Sequence, residues 1–279
     1  MTKVKIIPSR TRSTLNKILD PIPYLDPTNN RRIVITPWIV IPARLDSTRL
    51  PQKLTLLIGS QPILMHTLKQ ALKTRNVQGV LVVTDSPLLA DIAEGAGVSA
   101  YLSGPAESGT ERIAAMHSVT NGAAVINLQA DEPFISPTDI EQVSIALQKG
   151  AEMVSGYHRL STREQVLDPN LVKVVLNHNS EAMYFSRAAI PHLRTGFQAE
   201  EYWGHIGVYG YSNTVLSSWR ELPHSPLAEA EGLEQLRALQ AGITIKMVEM
   251  SSSIGIDTPA DLEKARAIYA RNQAQWSTT

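Results

Sequence analysis

From residue 33 onward the chain alternates short apolar runs with segments of helical spacing. The run WIVIPA at 38–43 is apolar throughout, the pattern of a strand buried on both faces, and VLVVT at 80–84 repeats it. Between them, 62–72 (PILMHTLKQAL) has helical spacing with proline in its first turn. Ser86 is placed to cap a helix through residue 93, which Gly95 and Gly97 end. A strand at 98–102, a helix from Thr110, a strand at 123–128 and an amphipathic helix at 137–147, entered at Ser136, continue the alternation. Repeated βα units of this kind specify a mainly parallel sheet between two layers of helices, an α/β fold.

The second half changes rhythm. Segments 171–176, 182–187 and 205–211 are strand-like with no long helix between them, which predicts antiparallel additions or a small lid. A helix at 228–240, a strand at 243–248 and a helix at 259–270 complete the pattern. No clean linker divides it, so one domain with a subdomain is expected.

In open α/β sheets ligands bind beyond the carboxyl ends of the strands. Polar motifs stand at those ends here: IPAR, VVTD and LQADEP each begin in a strand and finish in charge. The loop 44–53 carries Arg44, Arg49 and Lys53 with two hydroxyls, a set suited to a triphosphate or, more plainly, to a solvated basic loop. Neither the Walker loop nor the dinucleotide glycine fingerprint occurs. Asp131 and Glu132 directly follow an apolar run, where carboxylates suit a hard cation bridging to phosphate, or a capped turn before Pro133. Asp257 offers the same choice, between ligand and cap of the helix beginning at Pro259.

Composition narrows the classes. The 279 residues include 26 basic and 26 acidic side chains, but residues 1–32 hold seven basic and two acidic ones. The remainder is therefore mildly acidic, which argues against a protein that coats nucleic acid. The absence of cysteine excludes disulfides, thiolate metal sites and a cysteine nucleophile, and makes the cytoplasm the natural compartment. No apolar run approaches the roughly 18–20 residues of a membrane span, so no stable insertion is expected. The seven histidines show none of the spacings of a zinc site. Four prolines, at 8, 21, 23 and 27, oppose a long helix in the basic N-terminal stretch, which reads as an extension covering 1–35. The domain proper then spans 36–273, followed by a tail at 274–279.

Eight strings occur in order: IPARLDSTRLPQK, VVTD, SGTER, LQADEP, YFSRAAIP, HIGVYGY, LEQLR and IDTPADLEKAR. Together they resemble the 3-deoxy-manno-octulosonate (Kdo) cytidylyltransferases over residues 38–270. The resemblance implies the nucleotide-diphospho-sugar transferase fold, Rossmann-like with a mixed sheet and a small lid or dimerisation subdomain, in a homodimer. It implies transfer of CMP from CTP to Kdo with Mg2+, for lipopolysaccharide or capsule synthesis. It assigns Arg44 and Lys53 to the triphosphate, and Ala43, Ser108, Gly109 and Asp131 to the nucleotide. It further assigns Asp131 and Asp257 to the metal, and Gln129, Arg187, His205, Tyr209, Glu234 and Gln235 to the sugar. Some positions depart from the family pattern. Gln52 and Ala130 stand where glycine is expected, Leu54 where proline is, Gln61 where lysine is usual, and Gly232 interrupts a helix. These departures leave two alternatives, transfer to another acidic sugar such as an amino-Kdo, or a nucleotide-binding paralogue without turnover.

Overall fold

A computed structural model describes residues 5–6, 36–104, 109–114, 116 and 119–272. Ser108, most of the N-terminal extension and the tail at 274–279 lie outside the described residues. The strands are β1 (Lys5–Ile6), β2 (Trp38–Ala43), β3 (Leu57–Ile58), β4 (Gln61–Pro62), β5 (Val80–Thr84) and β6 (Ser99–Leu102). They continue with β7 (Val125–Asn127), β8 (Met153–Arg159), β9 (Lys173–Leu176), β10 (Ala182–Ser186), β11 (Trp203–Tyr211) and β12 (Ile245–Glu249).

The main sheet runs β1-β6-β5-β2-β7-β11-β8-β12, with β9 on β11 and β10 on β9. Strands β6, β5, β2 and β7 are mutually parallel, as the βα alternation predicts. Strand β11 enters antiparallel between β7 and β8, and β12 lies parallel to β8, so the sheet is mixed. The hairpin β9–β10 is the antiparallel addition expected in the second half. Strand β8 is an unexpected finding: a central strand interrupted in sequence by Ser155 and Gly156.

Nine helices cover the sheet among the described residues: α1 (Ile63–Lys73), α2 (Pro87–Gly95), α3 (Gly109–Ala114), α4 (Pro137–Gln148), α5 (Arg163–Leu167), α6 (Asn213–Ser218), α7 (Pro226–Glu231), α8 (Gln235–Gln240) and α9 (Pro259–Arg271). Strand β2 shows why both faces need cover. Ile39 and Ile41 pack with Leu64, Leu68 and Val143 on one side, and Val40 packs with Ile113 and Leu216 on the other, all fully or nearly fully buried. A satellite cluster of Leu160, Val166, Ala199 and Tyr202 forms the core of the small subdomain.

Three local expectations change. Ser86 stands at the N-cap of α2 but makes no side-chain cap bond, and Gly97 rather than Gly95 takes the left-handed turn that ends the helix. The segment 228–240 is two helices, because Gly232 adopts φ 61° and reverses the chain between α7 and α8. Finally, Asp257 is not the cap of α9. Thr258 is, in a capping box: its Oγ1 accepts from the Asp261 N–H at 3.2 Å, and the Asp261 carboxylate accepts from the Thr258 N–H at 3.0 Å.

Gln52 sits at φ 50°, ψ 32°, a left-handed conformation that costs a side-chain-bearing residue energy. Replacing it by glycine removes that cost and adds some unfolded-state entropy. Gln52→Gly is therefore expected to raise stability by about 0.5–1 kcal/mol in urea unfolding; an unchanged or lower midpoint would show the conformation to be unstrained.

Candidate active site

Three segments meet at the carboxyl end of β2 and β7. The loop after β2 brings Arg44, Arg49 and Lys53, the loop after β7 brings Gln129 and Asp131, and the residue before the α9 cap is Asp257. Their side chains line one cleft of about 170 Å³. The Asp257 and Asp131 segments are joined directly by the backbone, Ile256 N–H donating to the Asp131 carbonyl at 3.0 Å. Ala43, the last residue of β2, is buried behind the cleft.

Lys53 organises this cleft. Its ammonium donates to the Asp131 carboxylate and, at 2.9 Å, to Asp257 Oδ1. Arg49 takes the other Asp257 oxygen at 3.0 Å. Burial opposes the charge on Lys53, yet the charge and hydrogen bonds of Asp131 and Asp257 outweigh it and raise its pKa above the ordinary lysine value. Burial likewise opposes ionisation of Asp257, but the Lys53 hydrogen bond and the charges of Lys53 and Arg49 hold its pKa below the usual carboxylate range. Neighbouring Glu132 turns away from this pair: it accepts from Ser253 Oγ at 2.8 Å, and burial together with the Asp131 charge pushes its pKa up to about 7. Gly255 leaves it room, because a Cβ there would stand 2.9 Å from the Glu132 carboxylate.

Two carboxylates converging on one ammonium mark a position that accepts a cation. No group of three or more His, Cys, Asp or Glu side chains suited to a metal occurs among the described residues. The two carboxylates of Asp131 and Asp257 match the chemistry of an ion such as Mg2+, which characteristically takes one or two carboxylates and completes its shell with phosphate oxygens and water.

Apart from Gln129, which lines the cleft just described, the residues the resemblance assigns to the sugar form a second group. His205 and Tyr209 lie on β11, their rings 5.5 Å apart, on either side of the β-bulge between Ile206 and Tyr209. Ser155 Oγ, 2.9 Å from the Val208 carbonyl, donates there, so the His205 Nε2–H donates to Ser155 at 2.8 Å. Burial, with a smaller effect of His158, lowers the His205 pKa to about 3 and keeps the ring neutral. Burial also raises the Tyr209 pKa well above its usual value, so its hydroxyl stays protonated.

The break at Gly232 shapes the far wall. It frees the carbonyls of Glu231 and Gly232, which Arg187 takes through Nε at 2.7 Å and Nη2 at 3.3 Å, while Nη1 donates to the Pro169 carbonyl at 2.9 Å. Three of the five guanidinium donors are so used, leaving two. The same break puts Glu234 at the N-cap of α8, and its carboxylate accepts from Thr110 Oγ1 at 2.8 Å. Gln235 is 3% exposed, and its amide nitrogen has no hydrogen-bond partner among the described residues.

Gly109 opens α3 directly against Pro42 of β2, where an added Cβ would meet the Pro42 ring at 3.4 Å. On the same helix Arg112 donates to Ser103 Oγ at 2.7 Å and to Asp85 at 2.8 Å. Sequence reasoning did not assign roles to Thr110, Arg112 or Ser155. Thr110 and Arg112 stood inside the quoted motif SGTER, whereas Ser155 carried no signal.

The cytidylyltransferase family model matches residues 38–246. A 3-deoxy-manno-octulosonate cytidylyltransferase of Anaeromyxobacter sp. (strain Fw109-5) is 39% identical over 235 residues, covering 83% of this chain and 96% of the relative. One from Escherichia coli is also 39% identical, covering 85% and 97%. The solved structure of CMP:2-keto-3-deoxy-manno-octonic acid synthetase complexed with CTP superposes with a TM-score of 0.79 at 38% identity, over 85% of this chain and 99% of that one. A cytidylyltransferase from Leptospira borgpetersenii serovar Hardjo-bovis (strain JB197), 17% identical with a TM-score of 0.58 over 85% and 87% of the two chains, shares the fold. With the family match spanning three-quarters of its length, the chain belongs to the cytidylyltransferases, in the 3-deoxy-manno-octulosonate branch.

Proposed function

We propose that the protein activates Kdo with CTP, giving CMP-Kdo and pyrophosphate, for lipopolysaccharide or capsule synthesis. The convergence of Asp131 and Asp257 on the Lys53 ammonium, in the cleft that also holds Arg44, is the observation that carries this reading. Nucleotidyl transfer to a hydroxyl forms a bond from the sugar oxygen to the α-phosphorus and breaks the one to pyrophosphate. Negative charge therefore builds on the leaving group, and fixed cations stabilise it most where water is excluded. Arg44 and Lys53 supply those cations from the loop after β2. Asp131 and Asp257 would hold Mg2+, which supplies further charge neutralisation at the phosphates when bound.

The sugar is held across the cleft. Arg187 has two donors left for its carboxylate, and the Gln235 amide nitrogen, unpartnered among the described residues, offers its two N–H groups to buried oxygens. Gln129, Glu234, neutral His205 and protonated Tyr209 contribute hydrogen bonds that fix the attacking hydroxyl, an effect of proximity and orientation. On the nucleotide side we assign the base to Ser108 and Gly109, and Ala43 to the nucleotide.

We assign catalysis to residues 36–273, in a homodimer working in the cytoplasm, where CTP is available, with 1–35 an appendage. The relatives support this boundary, since they match 83–85% of the chain and nearly all of their own length. No helix among the described residues is long and apolar enough to cross a membrane.

The direct test is pyrophosphate release from CTP and Mg2+ with a panel of 3-deoxy sugar acids. Kdo is expected to give turnover that ATP or GTP cannot replace; equal rates with purine nucleotides, or no product from any acidic sugar, would refute the assignment. Deleting residues 1–35 is expected to leave kcat/KM within a few-fold, and outright loss would make the extension part of the catalytic unit.

Asp131→Asn and Asp257→Asn are each expected to cost roughly a hundredfold or more in kcat, measured at saturating CTP. The double variant should be far less than multiplicatively worse, because both groups serve one ion. Since Thr258 and not Asp257 caps α9, normal turnover by Asp257→Asn would leave that carboxylate without a catalytic role.

A further inference from the structure

Behind the cleft, five side chains from four separate segments join in one hydrogen-bonded row. Gln129 Nε2 donates to Asn127 Oδ1 at 3.2 Å. Asn127 lies on β7 opposite Tyr209 of β11, diagonal to Tyr211, and its side chain bonds the Tyr211 hydroxyl. The Tyr211 hydroxyl lies 3.3 Å from Thr110 Oγ1, and Thr110 Oγ1 donates to Glu234 Oε2 at 2.8 Å. The three inner members, Asn127, Tyr211 and Thr110, are at most 3% exposed.

The donor direction of the whole row follows from its end. A carboxylate accepts only, so the single hydroxyl proton of Thr110 goes to Glu234. The contact between Thr110 and Tyr211 must then use the tyrosine proton. Tyr211 therefore accepts from Asn127, whose amide oxygen is left to receive the Gln129 nitrogen. With its nitrogen turned inward, Gln129 presents its carbonyl oxygen to the cleft. Both ends of the row, the Gln129 carbonyl and the Glu234 carboxylate, are thus acceptors. A ligand group that satisfies them has to donate, as sugar hydroxyls do; a phosphate or carboxylate oxygen would be repelled. Hydrogen bonds aligned in one sense within a buried row also polarise one another, which favours one arrangement over a mixture.

We propose that Asn127, Tyr211 and Thr110 form a positioning row that orients Gln129 and Glu234 as paired acceptors for the hydroxyls of the sugar, an inference that rests on the acidic-sugar reading of the cleft. The row also ties this wall to α3, the helix that follows the proposed base-binding segment. Buried as they are, the three inner residues act through Gln129 and Glu234 and not by contact with the sugar.

The test compares Thr110→Val, Thr110→Ser and Tyr211→Phe in steady-state kinetics with Kdo and CTP varied separately. Thr110→Val removes the donor to Glu234 and is expected to raise the KM for Kdo about tenfold or more, with the KM for CTP changed by less than about twofold. Thr110→Ser keeps the hydroxyl and should restore the wild-type value. Tyr211→Phe leaves the Thr110 bond to Glu234 and should raise the same KM by less. An unchanged KM for Kdo in Thr110→Val, a parallel rise in both KM values, or failure of the serine variant to rescue would overturn the row. Should Thr110→Val fail to fold, Tyr211→Phe decides, and an unchanged KM for Kdo in it counts against the proposal. A wild-type enzyme that does not use Kdo would overturn the parent reading instead, so the two failures are distinguishable.

Discussion

A lysine ammonium shared between two carboxylates is the interaction around which this active site is arranged. Asp131 and Asp257 are 126 positions apart, and like charges so close are unfavourable unless a cation lies between them. Lys53 supplies that cation from a third segment. The adjacency of β2 and β7 in the sheet brings the Lys53 loop beside Asp131. The backbone bond from Ile256 to the Asp131 carbonyl brings Asp257 to the same point. Charge compensation here is a consequence of strand order, in the crevice where α/β sheets bind ligands.

The surroundings leave those charges facing the cleft. Thr258 and Asp261 satisfy the start of α9 between themselves, which releases Asp257 from capping. Thr67 donates to the Ala130 carbonyl at 2.9 Å and fixes the turn that presents Asp131. Glu132, next in sequence, is drawn off to Ser253. On the sugar side the same logic applies to backbone groups. The glycine break after α7 frees two carbonyls, and Arg187 takes both while keeping donors in reserve.

The parallel half of the fold was legible because its strands are buried on both faces and so are apolar without alternation. Strands β2 and β5 stand at the predicted positions for that reason. Strand β8 was hidden by its own function in packing. Gly156 makes room for Met250 and Ile206, and buried Ser155 serves the carbonyls of the β11 bulge, so neither position is apolar. The split between α7 and α8 was obscured because helical spacing continues across Gly232 while the backbone does not. In the site, Lys53 could be read from the basic loop after β2, Asp131 from charge directly after an apolar run, and Asp257 from its place before the last helix. Which of Asp257 and Thr258 caps α9 could not, since both are good caps and only geometry separates them. The row from Gln129 to Glu234 was invisible, because its members come from residues far apart in the chain.

The requirement of the carboxylate pair for a cation is open to one direct measurement, the thermal melting of Lys53→Met with and without Mg2+. Without the ammonium, Asp131 and Asp257 repel each other, and the melting temperature should fall below that of the wild type. A divalent cation binds the folded pair more tightly once the ammonium is gone, so Mg2+ should raise the melting temperature of Lys53→Met more than that of the wild type. A Lys53→Met protein that melts like the wild type and gains nothing from Mg2+ would contradict the shared-cation arrangement.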